Sequence, residues 1–164
     1  NEILRLPARR VDAFACAKFH DLVLTLQCMM LEHNGVGIAA PQLGESWRVV
    51  VVASRPTPRY PHAPEMAPVT MLNPEFAVTD DSIDKDWEGC LSIPGIRALV
   101  PRYRAIKVRY QNPGAEWCEL ALSGFPARVF QHEYDHLIGK VYLDRVENNP
   151  DIISESEYCK LTAV

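Results

Sequence analysis

Residues 131–136 read QHEYDH, inside a stretch, SGFPARVFQHEYDHLIG (123–139), that carries the punctuation of a helix. Ser123 stands at the N-cap position. Pro126 falls in the first turn, where its missing N–H costs little, and Gly139 is placed as the C′ stop. Helical residues four apart lie one turn above each other, so His132 and His136 share a face and can grip one metal ion. Glu133 sits beside the first histidine, close enough to take a proton from water activated there. Two surface histidines are the ordinary alternative, and the glutamate and the helix punctuation weigh against it. The rest of the chain must build a core around this helix without blocking its polar face.

A catalytic metal site usually keeps three protein ligands and one open position, so two imidazoles leave a ligand to find. In H-E-x-x-H-x-x-G-x-x-H it is a third histidine. Gly139 fits that spacing, but the last position is Tyr142, and the scheme fails. In a thermolysin-like peptidase it is a later glutamate, and Glu155 and Glu157 are not excluded by spacing. The third candidate is Cys90 in WEGCLSIPG (87–95), where Gly89 and Pro94 mark a constrained loop. On its own that cysteine reads as a buried loop residue.

The 164 residues are 48% apolar, enough for one domain with one core, and residues 1–164 are read as a single catalytic domain. The net charge of −4 gives no electrostatic footprint for nucleic acid. No apolar run approaches the ~20 residues of a membrane span, and no signal peptide or basic presequence is read. The five cysteines are odd in number and widely spaced. A reduced compartment fits them better than a disulfide framework. Apart from Cys90 they are read as apolar filler.

Along the chain, Phe19, Leu22, Val23, Leu26 and Met30 recur at helical spacing, giving an N-terminal amphipathic helix over 17–33 that Asn34-Gly35 stops. Met29 and Met30 are read as core. RVVVVA (48–53) reads as a buried strand and VTMLNPEF as another. Between them, 54–68 hold five of the 13 prolines and read as a surface loop, with His62 solvated. DDSIDKD (80–86) reads as an acidic turn. AIKVRY and EWCELAL read as a hairpin around Gln111-Asn112-Pro113-Gly114, with Cys118 as packing. The segment after Asn149 reads as a short helix. The fold class is therefore α+β: mostly antiparallel strands around a central helix that carries H-E-x-x-H.

One further stretch, GVGIAAPQLG (35–44), offers two glycines for close backbone approach and the amide of Gln42, but lacks the Lys-Ser/Thr of a phosphate loop. GVGIAAPQ, EGCLS and QHEYDH, in that order, closely resemble the three motifs of the peptide deformylases, and the chain around them fits that family in length and element order. The resemblance implies an enzyme that removes the N-formyl group from the formylmethionine of newly made polypeptides and releases formate. It implies Cys90, His132 and His136 as metal ligands with water as the fourth. It implies Glu133 as general base, with the Gln42 side chain and the Leu91 N–H stabilising the oxyanion. Val36, Phe125 and Val129 match positions that line the methionine pocket, Gly37 a position whose backbone binds the substrate chain, and Arg97 a position near the peptide backbone. The family's metal is typically Fe²⁺, with Zn²⁺, Ni²⁺ or Co²⁺ as replacements, although a sulfur and two nitrogens alone would point to zinc.

Residues Arg97 to Arg109 form a basic stretch, read as solvated or paired, with Glu88 and Arg102 as a pair behind the ligands. Formylmethionine places the reaction in a bacterial-type cytoplasm or an organelle of bacterial origin. No nucleic acid or membrane partner is implied. The tail lacks the long charged helix of some bacterial members, so a partner at the ribosome exit region gains no support. Two other readings stand beside this one: a thermolysin-like metallopeptidase using Glu155 or Glu157, and a non-catalytic metal- or peptide-binding module.

Overall fold

The computed structural model describes residues 2–12, 17–57 and 60–162. Cys16 lies outside them. Three helices, α1 (Ala17–Glu32), α2 (Gly124–Leu137) and α3 (Glu155–Thr162), pack with strands β1 (Gly37–Ala39), β2 (Val49–Ser54), β3 (Met66–Cys90), β4 (Ile93–Gln111), β5 (Trp117–Ser123) and β6 (Ile152–Ser154). The fold is α+β. The sheet runs β1-β2-β3-β4-β5 with every neighbour antiparallel, and β6 adds to β4 beyond that path.

The run of valines places β2 in the interior, because every one of its side chains is buried. Val49, Val51 and Ala53 pack with Phe19, Leu26 and Met30 of α1, while Val50 and Val52 pack with Val129 and Phe130 of α2. Alternation sends successive residues to opposite faces, so a continuous apolar run suits a strand covered on both. The apolar stripe of α1 is the expected one, and Asn34 ends that helix with φ 51° while the Gly35 N–H donates to Met30 O at 2.8 Å. The hairpin of β4 and β5 pairs Tyr110 with Cys118 and Gln111 with Trp117.

The long β3–β4 ribbon differs from the sequence reading. Residues 80–86 are not a turn but the outer part of β3, paired to β4 from Asp80↔Ala105 to Asp86↔Val100. Their side chains are mostly exposed, so backbone pairing rather than side-chain preference makes the strand. Register shifts between Leu72 and Glu75, and again between Val78 and Ile83, bend the ribbon. Pro74 falls in the first of these, where its missing N–H breaks no ladder bond. The ribbon ends in a two-residue turn at Leu91-Ser92, which puts Cys90 at its tip, paired with Ile93. Cys28 and Cys159 are exposed thiols rather than apolar filler.

Asn73 pins the first bend. It is buried with φ 48°, accepts from Val11 N at 2.8 Å, and donates to Val11 O and Gln111 Oε1 at 2.9 Å each. Asn73→Ala strands these partners and puts a less tolerant residue at positive φ. Urea denaturation of the variant is expected to show a loss of about 2–4 kcal/mol; a loss below about 1 kcal/mol would remove Asn73 from the role of anchor.

Candidate metal centre

Helix α2 begins at Gly124, with extended Ser123 before it, although the Ser123 hydroxyl makes no capping bond. It ends near Gly139, whose φ of 74° and tight approach to Arg5 O (2.8 Å from an added Cβ) leave no room for a side chain. The helix therefore holds His132 and His136 one turn apart, with ring centroids 5.3 Å from each other. The ribbon tip brings Cys90 to them: Cys90 Sγ lies 3.4 Å from His136 Nε2, and the three candidate ligand atoms all fall within 4.8 Å of one another. All three residues are buried. Neither glutamate of the peptidase reading joins the group, because Glu155 chelates Arg97 at 2.7 and 2.9 Å and Glu157 pairs with Lys160 at 2.6 Å.

A buried carboxylate orients the first histidine. His132 Nδ1 donates to Glu88 Oε2 at 2.8 Å, which fixes the ring so that Nε2 is the atom offered to the ligand group. Glu88 is held in turn by Arg102, whose Nε and Nη2 each donate at 2.9 Å, and by Arg128 Nη1 at 2.9 Å. Arg102 also reaches Asp135 at 2.7 Å, and Arg145 reaches the same carboxylate at 2.6 Å. Burial acts to raise the Glu88 pKa, but the Arg102 charge and hydrogen bonds, with help from His132, hold it well below the ordinary carboxylate range. Burial pushes His136 down to about 3, reinforced by the charges of His132 and Arg102, so that imidazole is neutral and ready to ligate.

Glu133 is treated differently. It is buried, its Oε2 has no hydrogen-bond partner among the described residues, and burial pushes its pKa up to about 7. An orphaned carboxylate oxygen on the residue next to His132, in the pocket His132 lines, fits a divalent ion that carries water on Cys90, His132 and His136, since that water would supply the missing donor.

The remaining residues arrange themselves around a pocket lined by Val36, Gly37, Leu91, Phe125, Val129 and Glu133, and also by Tyr60. Gln42, in a short 3-10 turn, accepts from Ala39 N at 2.8 Å, which fixes its amide so that Nε2 points to Ser92 Oγ (3.2 Å) and Cys90 Sγ (3.6 Å). Arg97 is outside this pocket wall. Its guanidinium is buried and bonded to Glu155, and its stem lies against Gly89. Sequence reasoning missed Arg128, Asp135, Arg145 and Tyr60. The first two sit on the same helix as the histidines, at spacings that could have been read as facing the ribbon. Nothing in the proline-rich loop singled out Tyr60.

An α+β fold with a buried cysteine, two histidines one helical turn apart and an unpartnered glutamate defines the class of metal-dependent hydrolases. The polypeptide deformylase family model matches residues 1–151, and the chain belongs to that family. Peptide deformylase 2 of Nostoc sp. is 48% identical over 98% of this chain and 90% of the relative. Peptide deformylase 1 of Nitrosomonas europaea is 43% identical over 87% of this chain and 81% of the relative. A class I type b peptide deformylase from Acinetobacter baumannii, solved with Met-Ala-Ser bound, superimposes with a TM-score of 0.86 at 45% identity, covering 89% of this chain and 93% of that one. The peptide deformylase of Synechococcus elongatus, solved with actinonin, gives 0.81 at 30% identity, covering 99% and 82%. The chain is thus a metal-dependent hydrolase that removes the N-formyl group from nascent polypeptides.

The absence of a side chain at Gly37 leaves room for the Glu133 carboxylate. A Cβ there would stand 2.5 Å from Glu133 Oε1 and 2.8 Å from Val129 Cγ1. Gly37→Ala must push Glu133 aside. Deformylation kcat is expected to fall at least about a hundredfold, with metal content, read by elemental analysis, unchanged; near-normal kcat would show that Glu133 has freedom to yield.

Proposed function

We propose that Cys90, His132 and His136 hold one divalent ion and that Glu133 moves the protons of formyl-amide hydrolysis on N-formylmethionyl polypeptides. The observation that carries this reading is the buried Glu133 carboxylate, unpartnered at Oε2 among the described residues and lining the same pocket as His132 of the Cys90–His132–His136 group. When bound, the ion supplies Lewis acidity to the carbonyl and lowers the pKa of water. Glu133 takes the proton of the attacking water and delivers it to the departing amine. Its pKa near 7 suits both halves of that exchange at neutral pH.

Gln42 and Leu91 act on the oxygen of the formyl group as it becomes anionic. The Gln42 amide is locked by Ala39, so its Nε2 is aimed before substrate arrives, and the Leu91 N–H projects from the ribbon tip beside Cys90. Losing one such donor costs about 10²–10³ in rate. Val36, Phe125 and Val129 form the apolar wall for the methionine side chain. The Gly37 backbone belongs to β1, at the end of the sheet path, and an extended peptide can add to that edge. Crowding by Cys90 and Gln42 leaves space for hydrogen on the acyl side of the scissile bond, which selects formyl over a longer acyl chain.

Fe²⁺ is the native ion in this reading, as in the family; Zn²⁺, Ni²⁺ and Co²⁺ suit the same three ligands. Residues 1–164 act as one catalytic unit in a bacterial-type cytoplasm, where chains begin with formylmethionine. No helix is long and apolar enough to cross a membrane among the described residues.

Formate release from formyl-Met-Ala-Ser, measured anaerobically with Fe²⁺, tests the assignment. Cys90→Ala is expected to lose the ion and all turnover. An iron-replete, active Cys90→Ala enzyme would move the third ligand elsewhere.

Glu133→Gln is expected to retain the ion while kcat falls at least about 10³-fold. The same variant has a second signature in metal-free protein. A carboxyl raised from 4.5 to about 7 binds its proton more tightly when folded. Its ionisation therefore destabilises the fold progressively from pH 4.5 upward, fully above 7, by up to about 3 kcal/mol. Glu133→Gln is expected to raise the melting temperature of the metal-free chain at pH 8 and to change it little at pH 5. An equal effect at both pH values would mean that the carboxylate is not strained by burial.

A further inference from the structure

One part of the pocket wall comes from the proline-rich loop. Tyr60, in that loop, lines the pocket and packs its ring on Phe125, with centroids 4.9 Å apart and planes tilted by 55°. The two rings make an aromatic face in the pocket that Val36 and Val129 also line. A thioether suits such a face, because sulfur–aromatic contact is favourable and an unbranched chain can lie along the rings. A side chain branched at Cγ brings no sulfur to the rings and a wider end to fit against them.

Tyr60 is tied down from behind. Arg97 Nη1 donates to the Tyr60 hydroxyl at 3.3 Å, and its guanidinium lies 5.6 Å from the Tyr60 ring and 4.6 Å from that of Tyr158. Arg97 is fully buried, so its charge needs a partner, and Glu155 at the start of α3 supplies a bidentate one. Backbone pairing of Arg97 with Ile153 in β6 brings that glutamate within reach. Tyr158, one turn further along α3, stacks edge-on against Trp87 of β3 at 5.8 Å. An unbroken series of contacts thus runs from the C-terminal segment Ile152–Thr162 through Arg97 to the pocket wall.

We propose that Tyr60 is a specificity-determining residue that, with Phe125, selects the methionine side chain, and that Arg97 and Glu155 are positioning residues through which the C-terminal segment sets where Tyr60 stands. The proposal rests on the deformylase reading and adds to it a side-chain selector and a role for the tail.

The test measures kcat and KM of the Fe²⁺ enzyme for formyl-Met-Ala-Ser and formyl-Leu-Ala-Ser. The variants are Tyr60→Ala, Tyr60→Phe and Glu155→Gln, with Lys160→Ala as a control on the exposed face of α3. In Tyr60→Ala the preference for the methionine peptide in kcat/KM is expected to fall about tenfold, chiefly through KM, with kcat for the methionine peptide within about twofold of wild type. Tyr60→Phe keeps the ring and loses the Arg97 bond. It and Glu155→Gln are expected to shift the preference in the same direction by about three- to fivefold, while Lys160→Ala leaves it unchanged. An unchanged preference in Tyr60→Ala overturns the selector. A changed preference in Tyr60→Ala beside wild-type values in both Tyr60→Phe and Glu155→Gln overturns the role of the tail. Equal loss of kcat on both peptides in Tyr60→Ala makes the residue structural and overturns the proposal. Absence of formate release by iron-loaded wild type would instead sink the deformylase reading itself.

Discussion

The carboxylate of Glu88 is the point on which the site depends. It lies fully inside the protein, and ionised groups survive there only when their partners are complete. Two arginines and a histidine complete it: Arg102 from β4, Arg128 from α2, and His132, the first of the candidate ligands. Each partner comes from a different turn of chain, so the carboxylate fastens the ribbon to the helix and fixes the histidine's tautomer at once. Asp135 extends the arrangement, accepting from Arg102 and Arg145. The cluster is weak evidence for net stability, because an apolar replacement of equal shape can be as stable. Its value is in register. Only one alignment of α2 against β3 and β4 satisfies all these charges, and in that alignment Cys90 faces His136.

The hydrophobic core supplies force without that discrimination. The valines of β2 drive α1 and α2 to opposite faces of the sheet, and slippage of either helix by a turn would still bury apolar surface. The polar cluster is what distinguishes one turn from the next. The bulged ribbon adds reach: only a strand pair as long as β3–β4, bent after Leu72 and again near Asp80, carries a cysteine from the far end of the sheet back to the helix. Asn73 shows how such a bend is kept: its one buried side-chain amide bonds both backbone groups of Val11 and the side chain of Gln111 at the end of β4.

The parts legible in the sequence were those governed by local rules. The amphipathic stripe of α1, the all-valine strand, the Gln111–Gly114 turn and the punctuation of α2 follow from neighbours within a few residues. The set of three motifs marked the family. What escaped was decided across long separations. Residues 80–86 look like a turn because their side chains are charged, yet their backbone is paired with a strand some twenty residues on. Arg97 seems a surface cation until β6 brings Glu155 to it. Tyr60 looks like one more residue of a proline-rich excursion until Phe125 and Arg97 are placed around it. The pocket itself is assembled from four separate stretches of chain, and no local pattern announces that.

The two buried glutamates of the site show how one fold sets opposite proton affinities a few residues from each other in space. Glu88 has every lone pair engaged by arginine or imidazole, and its proton is held off across the neutral range. Glu133 receives no such help. Gly37 lies close against one oxygen, no described residue donates to the other, and the proton is retained to about pH 7. A fully paired Glu133 would be more comfortable and useless as a proton carrier, since each hydrogen bond to the anion lowers its basicity. The pairing of Glu88 and the isolation of Glu133 are therefore two halves of one arrangement. Arg102, Arg128 and Arg145 are directed at Glu88 and Asp135, and the hydrogen bonds they make are spent there rather than on the carboxylate that must exchange a proton. Stability is given up at one residue and alignment secured at the other, and the rigid alignment is what makes the loss tolerable.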